Sequence, residues 1–166
     1  GGAEGRAEEG RAGCRGAECG EYERAEEAAR AALVLNPLDA RAHHVMAHVF
    51  EMTARPASRS DPAGAWTLRR VEMPPLDWFR DLYRRVGEEW LWFSRIRMPD
   101  AELAARLHSP QLEVYALVDG NSDEGLLELD FREPGQCEIG MFGVTAKLIG
   151  TGAGRWLMNR ALDIAW

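Results

Sequence analysis

From Gly20 to Phe50, small and apolar residues recur at helical spacing. Ala25, Ala28, Ala29, Ala32 and Leu33 fall three and four apart, which lines one face of a helix. Asn36-Pro37 ends that pattern, because proline lacks an amide donor and biases the residue before it away from the helical region. Asp39 then caps a second helix with Ala42, Val45, Met46, Val49 and Phe50 on its inner side. The pattern predicts a helical hairpin over residues 20–54.

Residues 54–64, ARPASRSDPAG, are small, polar and broken twice by proline, which predicts a linker over 55–64. Beyond it the apolar content rises, and all six tryptophans lie from Trp66 onward. A second domain over 65–166 alternates strand and helix. Trp66 to Val71 reads as a short strand, and Leu76 to Val86 as a helix with Phe79, Leu82, Tyr83 and Val86 on one face. Glu88 to Met98 is rich in aromatics, and Pro99-Asp100 opens a short helix through Leu107. Strands follow at Leu112 to Val118, Leu126 to Phe131 and Cys137 to Val144, separated by the turn residues Asp119-Gly120-Asn121 and Pro134-Gly135. Gly152 to Trp166 is a final helix. The predicted class is α/β in the α+β sense: an antiparallel-rich sheet flanked by helices, preceded by a helical hairpin.

Composition narrows the functional classes. The chain has 166 residues, with 20 Lys+Arg against 27 Asp+Glu and a formal charge of -7. That sign argues against broad nucleic-acid binding, which needs a basic footprint on the phosphates. No apolar run approaches the roughly 18 residues that span a bilayer, and no charged-then-apolar leader is present, so the expected location is the cytoplasm. Cys14, Cys19 and Cys137 are an odd set, which does not suggest a disulfide framework. Residues 1–20 hold seven of the 17 glycines and no large apolar side chain, so residues 1–19 are expected to be disordered. His44 and His48 are four apart, as metal ligands on one helix face would be. No third ligand follows at a telling distance, so no metal is expected.

The chemistry-bearing segment joins the last strand to the last helix, Val144 to Arg155 (VTAKLIGTGAGR). Alternating glycines at 150, 152 and 154 just before a helix leave backbone N–H groups uncovered at the positive end of the helix dipole, an arrangement that binds phosphate. The dinucleotide fingerprint G-x-G-x-x-G is not met, since the third glycine comes one residue early. The nucleoside-triphosphate loop's Gly-Lys-Ser/Thr is absent as well. A strand arising from an antiparallel hairpin also disfavours a Rossmann sheet.

The segment resembles the GCN5-related N-acetyltransferase superfamily, in which a strand ending in valine leads into Arg/Gln-x-x-Gly-x-Gly/Ala and a helix. Val144 takes the strand-end position and Gly150 and Thr151 the variable pair. Gly152 and Gly154 are the required glycines, with Ala153 between them, and Ile149 stands where the family has Arg or Gln. The resemblance covers residues 65–166. It implies that the loop amides from Ile149 to Arg155 hold the pyrophosphate of acetyl-coenzyme A, and that the backbone of Phe142, Gly143 and Val144 pairs with the pantetheine arm. It further implies an acetyl transfer to an amine by direct attack, with Glu138, six residues before Val144 on the same strand, as the base. The alternative for Glu138 is a carboxylate paired with Arg132 or solvated. Glu128 and Asp130, alternating with Leu127, Leu129 and Phe131, share one face, where they either attract a cationic amine or serve solubility. Trp90, Trp92 and Phe93 line an acceptor pocket or pack in the core, and core packing is favoured. In the family a further strand, a helix bearing a tyrosine acid and closing strands come next. They would lie beyond Trp166, so the domain is expected to be incomplete and a poor catalyst.

Gly20-Glu21-Tyr22, Ala25, Ala32-Leu33 and Asn36-Pro37 resemble the second helix of a tetratricopeptide repeat, and His43, Ala47 and Phe50 the start of the next. That likeness implies a protein partner for residues 20–54. It leaves a second functional reading, a non-enzymatic scaffold with a vestigial α/β segment.

Overall fold

A computed structural model describes Tyr22–Leu35 and residues 52–166. Contacts divide the chain into two units, Gly1–Ala54 and Arg55–Trp166. In the first, helix α1 spans Tyr22–Leu35, with Ala29 and Ala32 buried and Val34 and Leu35 exposed. The expected disorder of residues 1–19, the Asn36-Pro37 stop, the helix from Asp39 and the three histidines at 43, 44 and 48 lie outside the described residues.

The second unit is an α+β fold built on a four-stranded sheet. Its strands are β1 (Thr67–Arg70), β2 (Leu112–Asp119), β3 (Ser122–Asp130) and β4 (Glu138–Val144), in that spatial order and antiparallel throughout. Helices α2 (Leu76–Gly87), α3 (Ser94–Arg97) and α4 (Asp100–Leu107) accompany one face, and α5 (Ala153–Ala165) the other. The period-2 alternation of the strands feeds both layers. Val114, Ala116, Leu126 and Met141 meet Phe79, Leu82, Leu103 and Leu107, while Tyr115, Leu117, Leu127 and Leu129 meet Ala153, Leu157 and Ala161. The small residues on α5 let it lie close to the sheet. Among the described residues no helix is long and apolar enough to cross a membrane.

Three local features differ from the sequence pattern. Strand β3 begins at Ser122 rather than Leu126, because polar residues continue the ladder: Asp119 pairs with Ser122 around Gly120, whose φ is 62°. Glu124 is an extra residue there, since Leu117 faces Gly125 and Val118 faces Asp123. The aromatic stretch forms a 3-10 turn at Glu88–Trp90, then Leu91 at φ 64° turns the chain so that Trp92 folds back over Gly87. Trp92 is buried, Trp90 is 41% exposed, and Phe93 carries the Arg97 guanidinium 4.5 Å above its ring. Residues 55–64 run along α5: Arg55 bonds Asp163, and Asp61 bonds Asn159 and Arg160.

Candidate functional site

The exit from β4 is pinned before the loop begins. Thr145 is buried; its hydroxyl donates to Glu124 Oε2 at 2.6 Å and its N–H to the Glu124 carbonyl at 2.9 Å. The bulge residue of β3 therefore holds the end of β4. A 3-10 turn at Ala146–Leu148 follows, with Leu148 buried against the α5 layer and Ile149 55% exposed.

Gly150 and Gly152 adopt φ of 80° and 97°, which L side chains rarely occupy. Thr151 organises the loop between them: its hydroxyl donates to the Leu148 carbonyl at 2.7 Å and accepts the Ala153 N–H at 3.3 Å. The first helical bond of α5 runs from the Trp156 N–H to the Gly152 carbonyl. Among the described residues, the N–H groups of Gly150, Gly152, Gly154 and Arg155 have no acceptor in the protein. Gly154 differs from its two neighbours, because it is helical, its φ is not positive, and a Cβ there would meet nothing within 4 Å. Nothing inside the fold requires a glycine at 154, although a glycine in a helix costs about 0.5–1 kcal/mol relative to alanine.

Cations around the loop are unequally available. Lys147 is tied to Asp119 at 2.8 Å and lies 3.5 Å from Glu124, and the Asp119 hydrogen bond pushes its pKa up. Burial pushes the Glu124 carboxyl up, but hydrogen bonds from Thr145 and Ser122 and the nearby Lys147 and Arg85 hold it below its usual range. Arg155, exposed in the first turn of α5, makes no ion pair among the described residues.

The segment of β4 expected to face a ligand turns its side chains inward. Phe142 and Val144 pack in the α5 layer, and Gly143 lies under Val86 and Trp92. Only the backbone of these three residues is left to offer, along the strand that ends the sheet order. Gly140 is a second bulge, since Glu128 faces Met141 and Leu129 faces Ile139.

Glu138 is exposed at the opposite end of β4, a strand length of about 20 Å from the loop. It pairs in register with Asp130 and lines an open hollow of about 430 Å³ together with Asp130, Arg132, Glu133, Gln136 and Cys137. Arg132 bonds Asp130 at 2.9 Å. That bond chiefly raises the arginine's pKa, with the charge of Glu138 adding to it.

Glu128 and Asp130 do share a face, but it is not a surface. Glu128 is fully buried and Asp130 6% exposed, neutralised by arginines from α3, α4 and the β3–β4 turn. Arg95 and Arg106 both donate to Glu128 Oε1, at 3.2 and 2.6 Å. Oε2 is buried and has no hydrogen-bond partner among the described residues. These two carboxylates are therefore neither a solubilising strip nor an acidic field for an amine. The partners lie 22 and 33 residues away in sequence, and only the alternation of the acids with leucines hinted at burial.

Among the described residues no cluster of three or more His, Cys, Asp or Glu is placed to hold a metal ion. Compared with known proteins, the chain matches no protein-family model and no curated sequence significantly.

Proposed function

We propose that the second unit is an N-acetyltransferase domain of the GCN5-related type, which seats the pyrophosphate of acetyl-coenzyme A in the loop from Ile149 to Arg155. The anion rests on the amides of Gly150, Gly152, Gly154 and Arg155, those of Ile149, Thr151 and Ala153 being bonded to neighbouring residues. The observation that carries this reading is Gly154: a helical glycine with no internal need to be one, whose N–H is one of four without an acceptor among the described residues. An anion resting on the helix end requires both the bare surface and the free donors. The order of elements supports the same reading: a strand, helices on one face, three antiparallel strands, and a glycine loop leading to a helix on the other face.

The pantetheine arm then lies along the outer edge of β4 as an added strand would, bonded by the backbone of Phe142, Gly143 and Val144. An extended arm bridges the distance between the loop and the Glu138 end of the strand. Glu138 takes a proton from the acceptor's ammonium group, and the free amine attacks the thioester carbonyl carbon. A C–N bond forms, the C–S bond breaks with its electron pair on sulfur, and the proton that the nitrogen sheds on becoming an amide neutralises the departing thiolate, so that coenzyme A leaves as the thiol. The exposure of Glu138 in an open hollow suits it to meet an incoming amine.

Calorimetric titration with acetyl-coenzyme A tests the loop. The wild-type chain should bind and Gly154→Val should not, with both folded by circular dichroism; equal binding by the two sinks the assignment. Transfer to a panel of amines by Glu138→Gln at the wild-type rate would remove the base role and leave the coenzyme site standing.

A further inference from the structure

Residues 55–64 are strapped along α5 by contacts that run from Asp163 to Trp156, and one of them, Pro62, reaches the glycine loop. One end is held by aromatic packing: Trp66 lies where a Cβ on Gly64 would be, and its ring sits 6.3 Å from that of Trp156. Towards the middle, Asp61 receives hydrogen bonds from Asn159 at 2.8 Å and Arg160 at 3.0 Å, and Asn159 also donates to the Arg59 carbonyl at 3.1 Å. Arg55 bonds Asp163 at 2.9 Å. Between the aromatic anchor and the Asp61 latch sits Pro62. Its ring occupies the space beside Gly152, 2.9 Å from where a Cβ would stand.

From these contacts we infer that the strap is an autoinhibitory latch on the glycine loop, which a phosphate-bearing ligand must lift. This rests on the reading of the loop as the acetyl-coenzyme A site. Pro62 crowds the cap of α5 at Gly152, and moving it away breaks the Asp61 contacts to Asn159 and Arg160 one residue along. The latch itself is made to open. Asp61 and its partners are partly exposed, and exposed ion pairs contribute little. A ligand shifts such a balance only by its preference for the open form, so removing the latch should appear as tighter binding.

The test uses the full chain, with Asp61→Ala and, separately, Asn159→Ala, which loosens the same contact without altering the sequence around Arg59. The dissociation constant for acetyl-coenzyme A is measured by calorimetry, and opening by the rate of tryptic cleavage after Arg59. Both variants should bind up to about fivefold more tightly than wild type, the factor set by one exposed pair. Acetyl-coenzyme A should speed cleavage after Arg59 in the wild-type chain. Binding of equal strength in all three proteins, or cleavage that the ligand slows or leaves unchanged, overturns the latch while the coenzyme site stands. Absence of binding in all three overturns the coenzyme reading and the latch with it.

Discussion

Arg106 Nη2 on α4 donates to Glu128 Oε1 on β3 at 2.6 Å, inside a core where Glu128 is wholly shielded from solvent. The pair ties the helical layer to the centre of the sheet, with Arg95 donating to the same oxygen. Removing one member of a buried ion cluster strands the remaining charges. Glu128→Ala should therefore cost about 3–5 kcal/mol in urea unfolding, whereas replacing Glu128, Arg95 and Arg106 together by leucine or methionine should recover most of the loss. A cost under about 1 kcal/mol for Glu128→Ala would show that the cluster contributes little to stability.

Two glycines of similar appearance in the sequence should respond in opposite ways to alanine. At Gly143 a Cβ would stand 2.6 Å from Val86 Cγ1 and 3.4 Å from the Trp92 ring, so Gly143→Ala overpacks the core and should cost about 1–3 kcal/mol. At Gly154 nothing lies within 4 Å, so Gly154→Ala should leave stability unchanged or raise it by up to about 1 kcal/mol. Thermal melts of both variants check the contrast. Destabilisation by Gly154→Ala would mean that the fold itself needs this glycine.

Elements governed by local patterning are legible in the sequence. Phe79, Leu82, Tyr83 and Val86 announce α2 by their spacing, and Pro134-Gly135 announces the turn before β4, because each signal lies within a few residues of its consequence. The loop glycines are legible for the same reason. The first residues of β3 are not, since Ser122, Asp123 and Glu124 owe their place to partners distant in sequence. Asp123, for instance, is held by Arg69 at 2.7 Å and Trp78 at 2.8 Å, 54 and 45 residues away. Glu128 is hidden in the same way: its burial depends on arginines that no periodicity links to it. The strap reads as a linker from its composition, which is silent about the Asn159 and Arg160 side chains that receive it.

Cys137 is half-buried at the start of the hollow beside Glu138, and burial, reinforced by the charges of Glu113, Asp130 and Glu138, pushes its thiol from 9.0 up to about 11. So weak an acid holds far less thiolate near neutrality, partly offset by the greater nucleophilicity of a more basic thiolate. Alkylation of Cys137 by iodoacetamide at about pH 8 should therefore be roughly tenfold slower in the native chain than in urea. Peptide mapping by mass reads this residue apart from Cys14 and Cys19. Equal native and unfolded rates would contradict the raised value.

Acid should unfold the second unit through carboxylates that the fold holds ionised. Burial pushes Asp123 and Asp130 up, but the Arg69 and Trp78 bonds to the first and the Arg132 bonds to the second prevail, so both lie below the usual 3.8. Glu124, bonded by Thr145, lies below 4.5. Because the folded forms bind protons less readily than the unfolded chain, their stabilisation is complete above the unfolded values. It is lost as pH falls through the depressed folded ones. The melting temperature should be flat above about pH 5 and drop steeply below about pH 4. Asp130→Asn, which removes one of the three, should lower stability at neutral pH and make the acid limb shallower. An unchanged acid limb in that variant would show that Asp130 takes no part in the acid response.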